Sequence, residues 1–442
     1  MSDQVAALRE GRLAGARRLD LVDCGLTQLP REIFALADSL EVLDLSRNRL
    51  TALPDDFDRL HRLKVLFCSD NPFTELPPVL GRCPALEMVG FKANRIASVP
   101  ARALPPGLRW LILTDNAVDR LPESIGDCAR LQKLMLAGNR LQSLPATIAR
   151  CGRLELLRIS ANRFERLPDV LAALPRLAWL AIGGNPMNAA AENAALHEAT
   201  LPHVDWRTLT LRALLGEGAS GFIHEAHRAG GADASTVAVK LFKGAVTSDG
   251  WPASEMAACI AAGPHPDLIP VLGRVEGHPD GVQGLVLARI PAGWRNLASP
   301  PSLATCTRDI YADGWRTPVA AALAMAGGIA SAVRQLHARG IVHGDLYAHN
   351  ILCDGSGGAL LGDFGAASFC PAADALTLQR IEARAFGCLL EELAAHCLPP
   401  ADQAERATVD DMAQWAQRCL QPNAALRPSF HVIAQALAPR AQ

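Results

Sequence analysis

The stretch His343-Gly344-Asp345-Leu346-Tyr347-Ala348-His349-Asn350, followed by Asp363-Phe364-Gly365, places a base and two metal ligands at the spacing that phosphoryl transfer needs. Asp345 and Asn350 stand five positions apart, so one short loop can orient an acceptor hydroxyl at its start and hold a Mg²⁺ at its end. Asp363 would bridge that metal and the phosphates. The chemistry implied is phosphotransfer with ATP and Mg²⁺ as cofactors. Upstream, Gly216-Glu217-Gly218-Ala219-Ser220-Gly221 can bring backbone N–H groups against phosphates, because glycine leaves no side chain in the way. Val237-Ala238-Val239-Lys240 follows, and its lysine is one of only five in the chain, with Lys64, Lys92, Lys133 and Lys243.

In this order the motifs resemble the protein kinase family over residues 206–442. The resemblance implies a two-lobed α+β domain. It assigns Gly216, Gly218, Gly221, Ile223, Ala238 and Lys240 to the nucleotide, Asp345 to the acceptor hydroxyl, and Asn350 and Asp363 to the metal. Residues 252–262 read as a helix on which Glu255 is the only acid able to pair with Lys240, matching the family's strand-to-helix ion pair. Asp345, Lys240 and Glu255 are therefore the expected catalytic set. Residues 284–290 look like the strand entering the hinge, with Leu287 at the gatekeeper position and Ala288 to Ile290 offering backbone groups to adenine. A long apolar helix over 317–340 stops just before the catalytic loop, where His343 is expected as a scaffold.

The chain also departs from the family. Gly344 stands where many kinases carry the arginine that holds a phosphorylated activation loop, which argues against switching by loop phosphorylation. Tyr347 replaces the lysine usual two positions after the base in serine/threonine kinases. Glu382 follows Asp363 by only 19 positions, with no Ala-Pro-Glu between them, and takes the place of the aspartate that anchors the catalytic loop. Arg427 matches a late buried arginine whose usual glutamate partner is missing, so another acid is expected to pair with it. Residues 305–315 form an insert rich in polar and aromatic side chains, suited to a substrate or inter-domain contact. The leading expectation is a protein kinase acting on protein Ser/Thr, or Tyr, hydroxyls. Two alternatives stand beside it: a nucleotide-binding, catalytically weak interaction scaffold, and a small-molecule phosphotransferase, since His343-Gly344-Asp345 is also similar to aminoglycoside and choline phosphotransferases.

The N-terminal half must position a different surface. From Leu19 to Pro186 it repeats Leu-x-x-Leu-x-Leu-x-x-Asn-x-Leu-x-x-Leu-Pro, with asparagines at 48, 71, 94, 116, 139, 162 and 185 and Cys24 in the first repeat's place. Steps of 22 to 24 residues lie in the leucine-rich-repeat range and exclude helical repeats. The fold expected is thus an α/β leucine-rich-repeat solenoid followed by a two-lobed α+β protein-kinase-like domain. Its divisions are a cap at 1–18, about eight repeats at 19–186, a cap and linker at 187–205 with a helix over 189–199, and the kinase-like domain at 206–442. Strand alternation sends Phe67, Met88, Trp110, Ile112, Met135 and Trp179 to the concave face, an apolar lane suited to a protein substrate or regulator, the alternative being that the kinase-like half or the chain's own tail covers it.

A net charge of −2 leaves no electrostatic footprint for nucleic acid, and none is expected as a partner. No basic segment leads into an apolar run at the start, and no run reaches roughly 18 uncharged apolar residues, so neither a signal peptide nor a membrane span is expected. The twelve cysteines lack a CxxC pair and read as small apolar thiols of a cytoplasmic protein.

Overall fold

The computed structural model describes residues 3–197, 201–229 and 235–438. They form two compact units, Met1–Leu177 and Ala178–Gln442. The first opens with helix α1 (Asp3–Arg9), which buries Val5, Ala7 and Leu8. Seven three-residue strands follow: β1 (Arg18–Asp20), β2 (Val42–Asp44), β3 (Val65–Phe67), β4 (Met88–Gly90), β5 (Trp110–Ile112), β6 (Lys133–Met135) and β7 (Leu156–Arg158). They pair in parallel and in register, so Val42, Val65, Met88, Trp110 and Lys133 stand in one column, as alternation requires. The middle residues Leu19, Leu43, Leu66, Val89, Leu111, Leu134 and Leu157 are buried.

Each repeat turns through a residue with positive φ immediately before its asparagine or Cys24: Asp23, Arg47, Asp70, Ala93, Asp115, Gly138 and Ala161, at 52–57° except for glycine at 71°. That conformation costs a non-glycine residue about 1 kcal/mol or more. The next side chain offsets it. Asn48 donates from Nδ2 to Leu21 O at 2.7 Å and Leu45 O at 2.9 Å, while its Oδ1 accepts from Cys24 N at 3.0 Å and Leu26 N at 2.9 Å. Asn71, Asn116, Asn139 and Asn162 repeat the arrangement. Cys83, Cys128 and Cys151 share one buried position, and burial pushes the Cys83 and Cys128 thiols up to about 12.

The second unit opens with β8 (Trp179–Ala181), all three residues of which are buried. Helix α2 (Ala189–Leu196) follows; the expected helix end at position 199 lies outside the described residues. A six-stranded sheet then forms from β9 (His203–Asp205), β10 (Leu209–Glu217), β11 (Gly221–Arg228), β12 (Ser235–Phe242), β13 (Val271–Glu276) and β14 (Gly284–Ala288), in the order β10-β11-β12-β14-β13-β9. Ala226, Val237, Val239, Val275 and Val286 make its core. Helix α3 (Pro252–Ala262) lies between β12 and β13 in sequence and carries Glu255 in its first turn.

The remaining part is mainly helical: α4 (Val319–Ala338), α5 (Ala375–Ala395), α6 (Gln403–Cys419) and α7 (Phe430–Ala436), with the short strands β15 (Arg295–Asn296), β16 (Ile341–Val342), β17 (Ile351–Cys353), β18 (Ala359–Leu361) and β19 (Ser368–Phe369). Among the described residues α4 alone is long and apolar enough to cross a membrane by length and composition, and it carries Arg334. Its buried face, with Ala322, Met325, Ile329, Val333 and Leu336, is that of a core helix, since Gly327 packs against Leu437 and Gly328 against Asp267.

Candidate active site

Lys240 is delivered by β12, where alternation points Val237 and Val239 into the sheet core and leaves Lys240 facing α3. Its Nζ pairs with Glu255 Oε1, and both side chains are nearly buried. Burial works against the lysine's charge, but Glu255 and Asp363 together outweigh it and hold the pKa above its usual value. Burial pushes the Glu255 carboxyl up in turn, with Lys240 opposing. The two groups face each other in low dielectric, and Asp363 belongs to the same electrostatic group.

Around it lies a cleft of roughly 990 Å³, part of it open to solvent, that brings together Gly218, Gly221, Ile223, Lys240, Glu255, Leu287 and Asp363. A Cβ at Gly216 or Gly218 would meet nothing within 4 Å, so the glycine loop leaves free space on both sides. At Gly221 a Cβ would lie 2.4 Å from Leu241 O, so that glycine is required by β11–β12 pairing instead. Gly216, Ala238, Ala288 and Ile290 do not line this cleft: Ala238 is buried in register with Leu287, and Ala288 pairs with Val237. The cavity runs under the glycine loop toward α3 and touches the strand entering the hinge at Leu287. Residues not foreseen from sequence complete its wall, among them Thr247, Asp249, Cys259 and Ile269. Thr247 and Asp249 come from the β12–α3 loop, which carries no motif.

The catalytic loop leaves β16 and is tied down at each position. His343 is fully buried, with Nε2 on Gly362 O at 2.8 Å and its ring against Phe364, as a scaffold residue should be. Gly344 has φ +73° and donates its N–H to Glu382 Oε1 at 2.7 Å, while Glu382 Oε2 meets His337 Nε2 at 2.7 Å. The longer acid thus anchors both the loop and the end of α4. Asn350 donates from Nδ2 to Asp345 Oδ2 and to Asp345 O, each at 2.9 Å, which fixes the carboxylate and leaves the amide oxygen as a metal donor. Asp363, exposed and at φ 50°, accepts from Gly365 N at 3.2 Å.

Sequence reasoning missed Asp309 within the 305–315 insert. Its buried carboxylate receives His349 Nδ1 at 2.7 Å and His349 N at 3.0 Å. Burial alone would lower the His349 pKa; Asp309 outweighs it, with Asp345 and Asp363 adding, and the imidazole is held above its usual value. The only advance signal was the insert's polarity. Arg427 donates Nε to Gln421 O at 2.8 Å and Nη1 to Arg380 O at 3.1 Å, so backbone carbonyls take up much of the bonding expected from an acid. Burial, then Arg384, lowers its pKa to about 10.

The lane of apolar residues divides. Phe67, Trp110, Ile112 and Met135 are half-buried, whereas Met88 and Trp179 are buried and not open to a partner. Lys133 sits 4.3 Å over the Trp110 ring, whose Nε1 points at Met135 Sδ at 3.3 Å. Trp179 stacks on Tyr347 with centroids 4.2 Å apart and planes 5° from parallel.

Two family profiles match this chain. The leucine rich repeat profile covers residues 15–73 and 129–187, and the protein tyrosine and serine/threonine kinase profile covers residues 209–385. Roco10 of Dictyostelium discoideum, named a probable inactive serine/threonine-protein kinase, is 31% identical over 123 residues, 27% of this chain and 5% of that protein. The volume-regulated anion channel subunit LRRC8E of Homo sapiens is 31% identical over 101 residues, 22% of this chain and 13% of that protein. Roco9 of Dictyostelium discoideum, named a probable serine/threonine-protein kinase, is 41% identical over 59 residues, 13% of this chain and 2% of that protein. The chain spans a small fraction of the length of the curated relatives it matches.

Proposed function

Because this chain carries leucine-rich repeats followed by a protein kinase domain, we propose that it transfers the γ-phosphate of MgATP to protein Ser or Thr hydroxyls, with the repeats recruiting the partner. The observation that carries this reading is the assembled set of charged groups: Lys240 on Glu255, Asp363 in the same cleft, and Asp345 held by Asn350. The residues suit MgATP. Asn350 and Asp363 offer hard oxygen donors, and the loop glycines leave room beside Lys240. Bound MgATP would supply the phosphoryl group and the charge neutralisation it needs in transfer.

This chain's own residues then do the positioning. Lys240, kept charged by Glu255 and Asp363, holds phosphate oxygens; Asp345, fixed by Asn350, accepts the hydrogen bond of the acceptor hydroxyl. Phe67, Trp110, Ile112 and Met135 are the part of the apolar lane still accessible to a partner. A reducing, cytoplasmic setting belongs to the same proposal and rests on the buried thiols. The experiment is transfer of labelled phosphate from MgATP to a generic protein acceptor and to the protein itself, with modified residues identified by mass spectrometry. Nucleotide binding without any transfer would favour the second reading, a nucleotide-binding scaffold, which the ring of Tyr347 in place of a lysine supports.

A further inference from the structure

The last repeat strand, β8, does not serve a repeat surface. Trp179 is 1% exposed; one face of its indole lies on Tyr347, Arg308 lies 5.8 Å from its ring centroid, and its Nε1 donates to Leu346 O at 3.1 Å. Leu346 and Tyr347 directly follow Asp345. Three residues beyond Trp179, Ile182 donates its N–H to Ser368 Oγ at 3.1 Å, and Asn188 Nδ2 donates to Phe369 O at 2.6 Å. Ser368 and Phe369 are β19, which pairs with β16 at the root of the catalytic loop. One stretch of chain, 179–188, therefore bonds both the catalytic loop and the segment after Asp363-Phe364-Gly365.

Gly344 completes the arrangement. A Cβ there would lie 2.6 Å from Leu180 O and 2.5 Å from Ala366 O, so β8 runs where any side chain at 344 would begin. The arginine that this position would need in order to receive a phosphate has no space to stand in. The contacts of the stretch 179–188 reach the same two elements that a phosphate bound by such an arginine would tie together.

We propose that β8 and the residues following it to Asn188 form a built-in brace, with Trp179 as its positioning residue, which orders the catalytic loop and the segment after Asp363-Phe364-Gly365 without phosphorylation. The proposal rests on the phosphotransfer reading for its effect on rate, and on geometry alone for its effect on order. Trp179 touches neither nucleotide nor acceptor in this role. It acts through Leu346 and Tyr347 on the placement of Asp345, where a shift of about 1 Å costs on the order of 10²-fold in rate.

The test uses the full chain. Trp179→Ala, Trp179→Phe and Ser368→Ala are compared with wild type in kcat, in KM for ATP, and in amide hydrogen exchange over residues 344–350 and 364–370. Trp179→Ala is expected to lower kcat about 10- to 100-fold with KM for ATP within about twofold. Exchange should rise in those two segments while α4 stays protected. Trp179→Phe, which keeps a ring to stack, should recover most of the rate. If Trp179→Ala does not fold, Ser368→Ala, which removes the acceptor for Ile182 N and the donor to Ala366 O, carries the comparison with a several-fold loss. Unchanged kcat and unchanged local exchange overturn the brace, and so does a rise in kcat, which would make β8 a brake. If wild type transfers no phosphate, the functional reading fails separately and exchange decides alone: a rise confined to the two segments upholds the brace, and no rise overturns it.

Discussion

In the repeat unit, Asn48, Asn71, Asn116, Asn139 and Asn162 each hold one turn with the same set of bonds, reaching 20 to 27 residues along the chain. In the second unit a single irregular turn, 343–350, is held by Gly362, Glu382, Asp309 and Trp179, which lie 19, 38, 40 and 167 residues from their partners. Both solve the problem of satisfying backbone groups outside regular pairing. The ladder does so by repetition, so each rung is replaceable and its loss stays local. The catalytic loop does so by convergence, so no rung has a substitute.

The largest expected effect falls on the convergent side. Asp345→Asn should lower turnover about 10³-fold while nucleotide still binds, whereas Asp363→Asn should weaken Mg²⁺-dependent nucleotide binding as well. Steady-state rates with calorimetric binding separate the two, and near wild-type turnover in both would remove the site assignment. Lys240→Met comes next: it leaves Glu255 buried beside Asp363, so about 3 kcal/mol of stability should go along with activity in denaturant titration and rate assays. Unchanged stability would mean the pair is not formed in solution.

On the repetitive side Asn71→Ala should cost about 1–3 kcal/mol, since it strands Leu50 N and removes one of the two asparagine donors to each of Leu45 O and Cys68 O. Its loss should add to that of Asn139→Ala within about 0.5 kcal/mol, because the two rungs share no partner. A large coupling energy in equilibrium unfolding would contradict the picture of independent rungs.

Smaller effects refine the comparison. Burial, set against Arg308 and assisted by Asp309, raises the Glu392 carboxyl to about 7, while Tyr311 donates to it at 3.2 Å. A folded pKa above the ordinary 4.5 means that Glu392's contribution to stability is fully present below about 4.5 and is lost as pH rises through about 7. Relative to Glu392→Gln, wild type should lose stability between pH 5 and 8 by at most about 1.4 kcal/mol per pH unit. Parallel curves for the two proteins would show that Glu392 does not titrate there. The smallest effect is a gain: Ala93→Gly relieves φ 52° and should stabilise by about 0.5 kcal/mol after the entropy cost of glycine, seen as a modest rise in Tm.

How far the chain could be read before folding follows the same division. The leucine columns, the asparagine rungs and helix α3 are where periodicity and propensity put them, because each depends on neighbours within a few residues or one repeat. Lys240, Glu255, Asp345, Asn350 and Asp363 were legible as types at fixed spacings. Asp309, Thr247 and Asp249 were not, since nothing local marks a loop residue that meets its partner only after the domain closes. For Trp179 the sequence left partner and intramolecular cover both open, because what it meets is Tyr347, 168 positions away (347 − 179), and no pattern within the repeats encodes that contact. The positive φ before each asparagine was also invisible, because Asp, Arg, Ala and Gly all occupy that place.

Repeat arrays change length by gaining or losing whole units, and here the asparagine spacing makes one unit 22 to 24 residues. Such a change upstream of Leu177 would add or delete rungs while leaving 178–188 bonded to Leu346, Ser368 and Phe369. The array can therefore be lengthened or shortened, provided that the final strand, with its tryptophan, is inherited together with the domain that follows.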